Sequence, residues 1–99
     1  PQVSFMIIEG RLARIDVDNL GVSTSFGIQV GDSEAHTLKV YGPKLKVSPN
    51  AYDPEDHYLN LTMRSKDHRY GMRFETENGK IKMFYAGRFD AIQYIEGCE

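Results

Sequence analysis

Residues 70–85 read as two short strands folded on a two-residue turn, and no other stretch of the chain constrains the fold as tightly. Tyr70, Met72, Phe74 and Thr76 alternate with Gly71, Arg73, Glu75 and Glu77. Asn78-Gly79 follows, and then Lys80-Ile81-Lys82-Met83-Phe84-Tyr85. Period-two alternation sends successive side chains to opposite faces of a strand. Asn-Gly accepts the positive φ that a type I′ hairpin turn demands at both central positions.

The same alternation recurs along the chain. Phe5-Met6-Ile7-Ile8 is an apolar run closed by Glu9-Gly10, and Leu12 to Val17 alternates after it. Phe26, Ile28 and Val30 form a further face, as do His36, Leu38 and Val40, a strand that Gly42-Pro43 is expected to stop. Leu45 and Val47 form a brief extended piece, Leu59, Leu61 and Met63 another strand, and Phe89 to Ile95 a closing one. Asp18-Asn19-Leu20-Gly21 and Gly31-Asp32-Ser33 are turn clusters. Residues 48–56 read as an exposed loop in which Asp53-Pro54 opens at most one helical turn. No window of eleven or more residues carries a capped helical stripe. Roughly eight short strands at such spacing predict a sandwich or a small barrel.

The expected architecture is therefore all-β: one antiparallel β-sandwich domain over residues 1–99, with a small β-barrel as the alternative. Its expected core begins with Ile7, Ile15, Phe26, Ile28, Val30, Leu38 and Val40. It continues with Leu59, Leu61, Met63, Met72, Phe74, Met83 and Ile95. Burying such side chains, at about 1.5–3 kcal/mol each, must offset the entropy of the ordered chain.

Charge narrows the function classes. A formal net charge of −2 argues against a chain dominated by nucleic-acid or membrane electrostatics. The basic residues concentrate after residue 35, however, since Arg11 and Arg14 are the only two before it. The single cysteine, Cys98, forms no intrachain disulfide and fits a reducing, cytoplasmic compartment. No apolar run is long enough to span a membrane as a helix.

The motifs that carry chemistry are few. Asp16 to Gly21 begins like a calcium loop, but Leu20 and Gly27 stand where ligands belong. His36, His57 and His68 match no metal-site spacing. Neither a Gly-x-Ser-x-Gly elbow nor a phosphate loop occurs. The chain is thus expected to be no enzyme and to hold no metal or cofactor. Asn60-Leu61-Thr62 fits a glycosylation sequon, and alternation puts Asn60 on the face opposite Leu59, Leu61 and Met63, where it is expected to be accessible. Lys39, Tyr41, Lys44, Lys46, Arg64, Lys66, Arg69 and Arg73 are the basic and aromatic residues expected on outward faces. A face of that kind grips single strands of nucleic acid by phosphate pairing and stacking.

Three pieces of the chain resemble the galectin family. Ile8-Glu9-Gly10-Arg11 with Phe26-Gly27-Ile28-Gln29-Val30-Gly31-Asp32 is similar to that family's opening strands. Phe74-Glu75-Thr76-Glu77-Asn78-Gly79 with Phe84 is similar to its late hairpin, and Phe89 to Gly97 to its closing strand. The resemblance implies a jelly-roll sandwich with a ligand on one concave sheet. Galectins bind β-galactosides through a His-x-Asn-x-Arg strand and a stacking Trp. Here Lys39 and Tyr41 stand where the His and Asn are expected, Lys44 where the Arg is, and the chain has no Trp. A sandwich that lost its sugar groups reads as a protein-interaction module. The expected ligand-binding residues are Lys39, Tyr41, Lys44, Asn60 and Arg64. The expected partner is a protein, including a second copy of the chain, with sheet edges and the tyrosines Tyr41, Tyr58 and Tyr94 as its contacts. A carbohydrate is the first alternative and a single-stranded nucleic acid the second.

Overall fold

In a computed structural model the described residues are 3–18, 22–49 and 58–92. Six strands form one open antiparallel sheet: β1 (Val3–Ile8), β2 (Arg11–Val17), β3 (Lys46–Pro49), β4 (Tyr58–Arg64), β5 (Tyr70–Glu77) and β6 (Lys80–Arg88). Their spatial order is β1-β2-β6-β5-β4-β3, so β1 and β3 are the edges. The Asn78-Gly79 hairpin is present, and both residues have positive φ, as a type I′ turn requires. Glu9-Gly10 joins β1 to β2 with the same pair of positive φ values.

The register lines up one apolar row across all six strands: Val3, Val17, Phe84, Phe74, Leu61 and Val47. The face bearing this row, called the covered face below, packs against residues 22–33 and a helix. That helix, α1 (Glu34–Tyr41), is followed by a 3-10 turn at Gly42–Lys44. Ile28, Tyr41, Leu45, Leu61, Phe74, Ile81 and Phe84 make the main core. Aromatic rings step through it from Phe26 to Tyr41, Phe74 and Phe84, with centroids 5.2, 5.5 and 5.6 Å apart.

Two expected strands are not strands. Residues 36–41 are helical because Ser33 caps the helix, its Oγ accepting from the His36 amide at 3.0 Å. Glu34 in the first turn suits the helix dipole, and Gly42, with φ of 63°, ends the helix before Pro43. The residues it buries, Thr37 and Tyr41, lie four apart. The His36/Leu38/Val40 alternation thus mimicked a strand. Residues 26–30 form a compact loop, held by a bond from the Ile28 amide to Thr24 Oγ1 and a lone bridge between Ser23 and Gln29. Helix α1 is tied to the hairpin tip: the Glu34 amide donates to the Gly79 carbonyl and the Ile81 amide to the Asp32 carbonyl.

The closing strand is also corrected. Phe89–Ile92 is one helical turn, α2, lying on the opposite face. It sits close because Gly71 has no side chain; a Cβ there would stand 2.8 Å from Phe89 and 2.9 Å from Ile92. Met6, Ala13 and Ala91 form a small second core beneath it. Of the expected core residues, Ile7, Ile15 and Phe26 are exposed. Ile95, Tyr94, Cys98 and most of the expected loop at 48–56 lie outside the described residues. Among the described residues the strands make a single sheet that does not close into a barrel.

Charge fills the middle of this opposite face. Arg14, 1% exposed, donates to both carboxylate oxygens of Asp16, at 2.6 and 3.0 Å, and to the Ala91 carbonyl at 3.0 Å. Its guanidinium lies 3.6 Å above the ring of Tyr85, whose hydroxyl donates to Glu75 at 2.7 Å. Burial, and then the Glu75 carboxylate, push the Tyr85 phenol well above its ordinary value. Removing one partner from a buried pair strands the other's charge. Asp16→Ala is therefore expected to cost about 3–5 kcal/mol of stability, measured by denaturant unfolding. The raised Tyr85 value implies that its contribution is complete below pH 10, the phenol's ordinary value, and fades as pH climbs above it. Thermal melts of the native chain and of Tyr85→Phe should diverge below that pH and converge above it.

Candidate functional site

The strongest surface feature follows from the length of the cover. Beside the main apolar row, the covered face carries a second row: Phe5, Ile15, Ala86, Met72 and Met63. Helix α1 and its loop pack on the first row and leave much of the second open. A register shift after Met6 places Ile7 opposite Leu12 at the end of the β1–β2 hairpin. The extra residue, Ala13, turns inward with Arg14, and Leu12 stays on the same side as Ile15. Phe5, Ile7, Leu12 and Ile15 are thus neighbours, exposed by 57, 59, 52 and 36%.

Charge gathers at the other end of the second row, where β4 turns into β5. Residues 65–69 form a rigid connection. Ser65 Oγ donates to Asp67 at 2.7 Å, and Asp67 also accepts from the Arg69 amide and side chain, each at 3.1 Å. The Arg64 guanidinium stacks 3.8 Å over Phe89, and its Nε donates to the His68 carbonyl at 2.9 Å. Two hollows flank this connection and share Arg64 and Tyr70 as walls. One, of about 440 Å³, opens toward α2 and is lined by Arg69, Arg88, Phe89 and Asp90 among others. Its cations are balanced in place, Arg69 by Asp67 and Arg88 by Asp90 at 2.6 Å. The other, of about 550 Å³, opens on the covered side.

The five expected ligand-binding residues do not form one face. Lys44 and Arg64 meet at the second hollow. Lys39 stands exposed on α1 rather than on a strand. Tyr41 is buried in the core, its hydroxyl donating to Thr24 Oγ1 at 2.8 Å, so it offers no outward ring. Asn60 is half-buried on the opposite face, in register with Ser48 and Glu75. The galectin-like site strand at 38–44 is thus helix and 3-10 turn. Sequence reasoning missed Phe5, Ile7, Leu12 and Ile15 as surface, and Tyr70 as a half-exposed wall. Crowding of large apolar residues on a hairpin whose first strand, β1, carries no charge was the available signal.

Among the described residues, no group of three or more His, Cys, Asp or Glu side chains is placed to hold a metal ion. No described helix is long and apolar enough to cross a membrane. Comparison with protein-family models, with curated proteins and with solved structures finds no match to this chain.

Asp67 gives a local probe of the connection. The Ser65 hydroxyl first, and then the Arg69 amide and guanidinium, lower its carboxyl from 3.8 to about 2. A depressed value means that this restraint on the turn is complete above the ordinary carboxylate value of 3.8 and is lost as pH falls through about 2. Carbon-13 NMR titration should find the Asp67 midpoint near about 2, and Ser65→Ala should move it upward.

Proposed function

We propose that the chain is a non-catalytic assembly module that associates with a second copy of itself through the open end of the covered face. The observation that carries this reading is the contiguous exposure of Phe5, Ile7, Leu12 and Ile15 on two paired strands. Side chains of this size expose together on the order of 400 Å² per copy, the size of the largest apolar patch on a typical monomer, which is often functional. Stacking two such faces about 10 Å apart would build between copies the two-layer arrangement expected from the sequence.

The edges favour a copy of the same chain as the occupant. β3 is four residues long and carries Lys46 and Pro49, devices that discourage edge pairing. β1, Val-Ser-Phe-Met-Ile-Ile, has no charged residue and no proline. An identical β1 brought near it meets no like-charge repulsion, and a two-fold axis makes one apolar patch serve both sides. Two such patches together make on the order of 800 Å², below the range of stable interfaces, so the association is weak and concentration-dependent.

Size-exclusion chromatography with light scattering, run over a concentration series, is expected to show dimers that dissociate on dilution. Ile7→Lys and Leu12→Lys, both at exposed positions, should give folded monomers. A native chain that stays monomeric at the highest concentration would remove this reading, as would dimers that tolerate both lysines.

A further inference from the structure

The 550 Å³ hollow on the covered side carries a separate inference, from its lining. Its size falls within the range of small-molecule sites. It lies where β4 and β5 continue past Lys46 opposite Thr62, the last described pair with β3 at that end. The floor is apolar: Met63 and Met72 face each other across β4 and β5, next to Gly71. One wall is Tyr70, half exposed.

The rim is cationic on both sides. Lys44 comes from the 3-10 turn after α1, and Lys66 from the β4–β5 connection. Both are exposed, and neither makes an ion pair among the described residues. Arg64 also lines it, with its guanidinium stacked on Phe89 at the boundary with the neighbouring hollow. No Asp or Glu lines this hollow. The neighbouring hollow across Arg64 and Tyr70 differs on this point, because Asp67 and Asp90 already occupy its arginines.

We infer that this hollow binds a small amphipathic anion: a flat apolar body against Met63, Met72 and Tyr70, with a carboxylate, sulfonate or phosphate between Lys44 and Lys66. Methionine thioethers and a tyrosine ring make favourable contacts with an aromatic body. Two ammonium groups in a lining that holds no carboxylate favour a negative group over a neutral one of the same shape. The four residues of the hairpin patch do not line the hollow, so binding there is independent of self-association.

The test uses methyl-labelled methionine in the native chain, titrated with 1-naphthoate and, separately, with neutral 1-naphthalenemethanol. Naphthoate is expected to shift the methyl signals of Met63 and Met72 with saturation, and the alcohol to bind at least about tenfold more weakly. Lys44→Glu and Lys66→Glu lie at exposed positions and leave the core untouched. Each is expected to weaken naphthoate about tenfold while the unliganded spectrum stays native. Equal binding of acid and alcohol would overturn the assignment, and so would saturation that is indifferent to both substitutions. Shifts confined to Met6 beneath α2, or no saturation at millimolar naphthoate, would overturn it as well. A third titration, with oligothymidylate, separates a small anion from a nucleic-acid strand. Tighter binding of the strand with steep salt dependence would reassign the hollow and overturn the proposal.

Discussion

An open sheet of six strands has two faces, and every apolar row on either face needs something to lie against. The chain meets this need unevenly. Six strands span about 24 Å from edge to edge at their usual spacing. An eight-residue helix is about 12 Å long. Helix α1, with the loop before it, therefore seals the first row, from Val17 to Leu61, and leaves the second row open where it crosses the β1–β2 hairpin at Phe5 and Ile15. The open apolar patch and the hollow beside Met63 and Met72 are the two ends of the strip left over.

The opposite face meets the same demand by another route. Its only described helical cover, α2, is four residues long and brings little apolar surface. The centre of that face is filled by Arg14, Asp16, Tyr85 and Glu75, whose polar groups satisfy one another. Buried ion pairs of this kind add little net stability against a well-packed apolar alternative, yet breaking one is costly. The planar guanidinium suits the place: it meets a carboxylate edge-on and a tyrosine ring face-on at once. One face is thus packed with apolar side chains under α1 and the other is held by matched charge.

Much of the sheet was legible in the sequence because strand signals are local. The Asn78-Gly79 hairpin, and β1, β2 and β4, follow from alternation and turn residues alone. Helix α1 was not read, because its eight residues fall below the window in which a helical stripe stands out. Leu38 and Val40 imitate a strand at that length. Ser33, Glu34 and Gly42-Pro43 were the signals that outranked them. Alternation also assigns a residue to a face without saying how far the cover reaches. Ile7 and Ile15 were therefore placed inward on the right face but beyond the end of its cover. For the site, local pattern pointed to basic residues without their partners. Lys44 and Arg64 come together only through the fold, and Tyr41 moves into the core once its segment is helical.

The tie between α1 and the hairpin tip has a consequence for how the molecule opens. The first residue of the helix and the residue before its cap are bonded to residues some forty-five positions later, through Glu34 to Gly79 and Ile81 to Asp32. A helix of this length is marginal by itself in water. Its persistence depends on the tip of β5 and β6 being formed to receive it, so helix and hairpin tip behave as a single cooperative unit of local unfolding. The β1–β2 arm is joined to the rest of the sheet along one side only, through β2 and β6, and Val17 ties it to the same core that the helix covers.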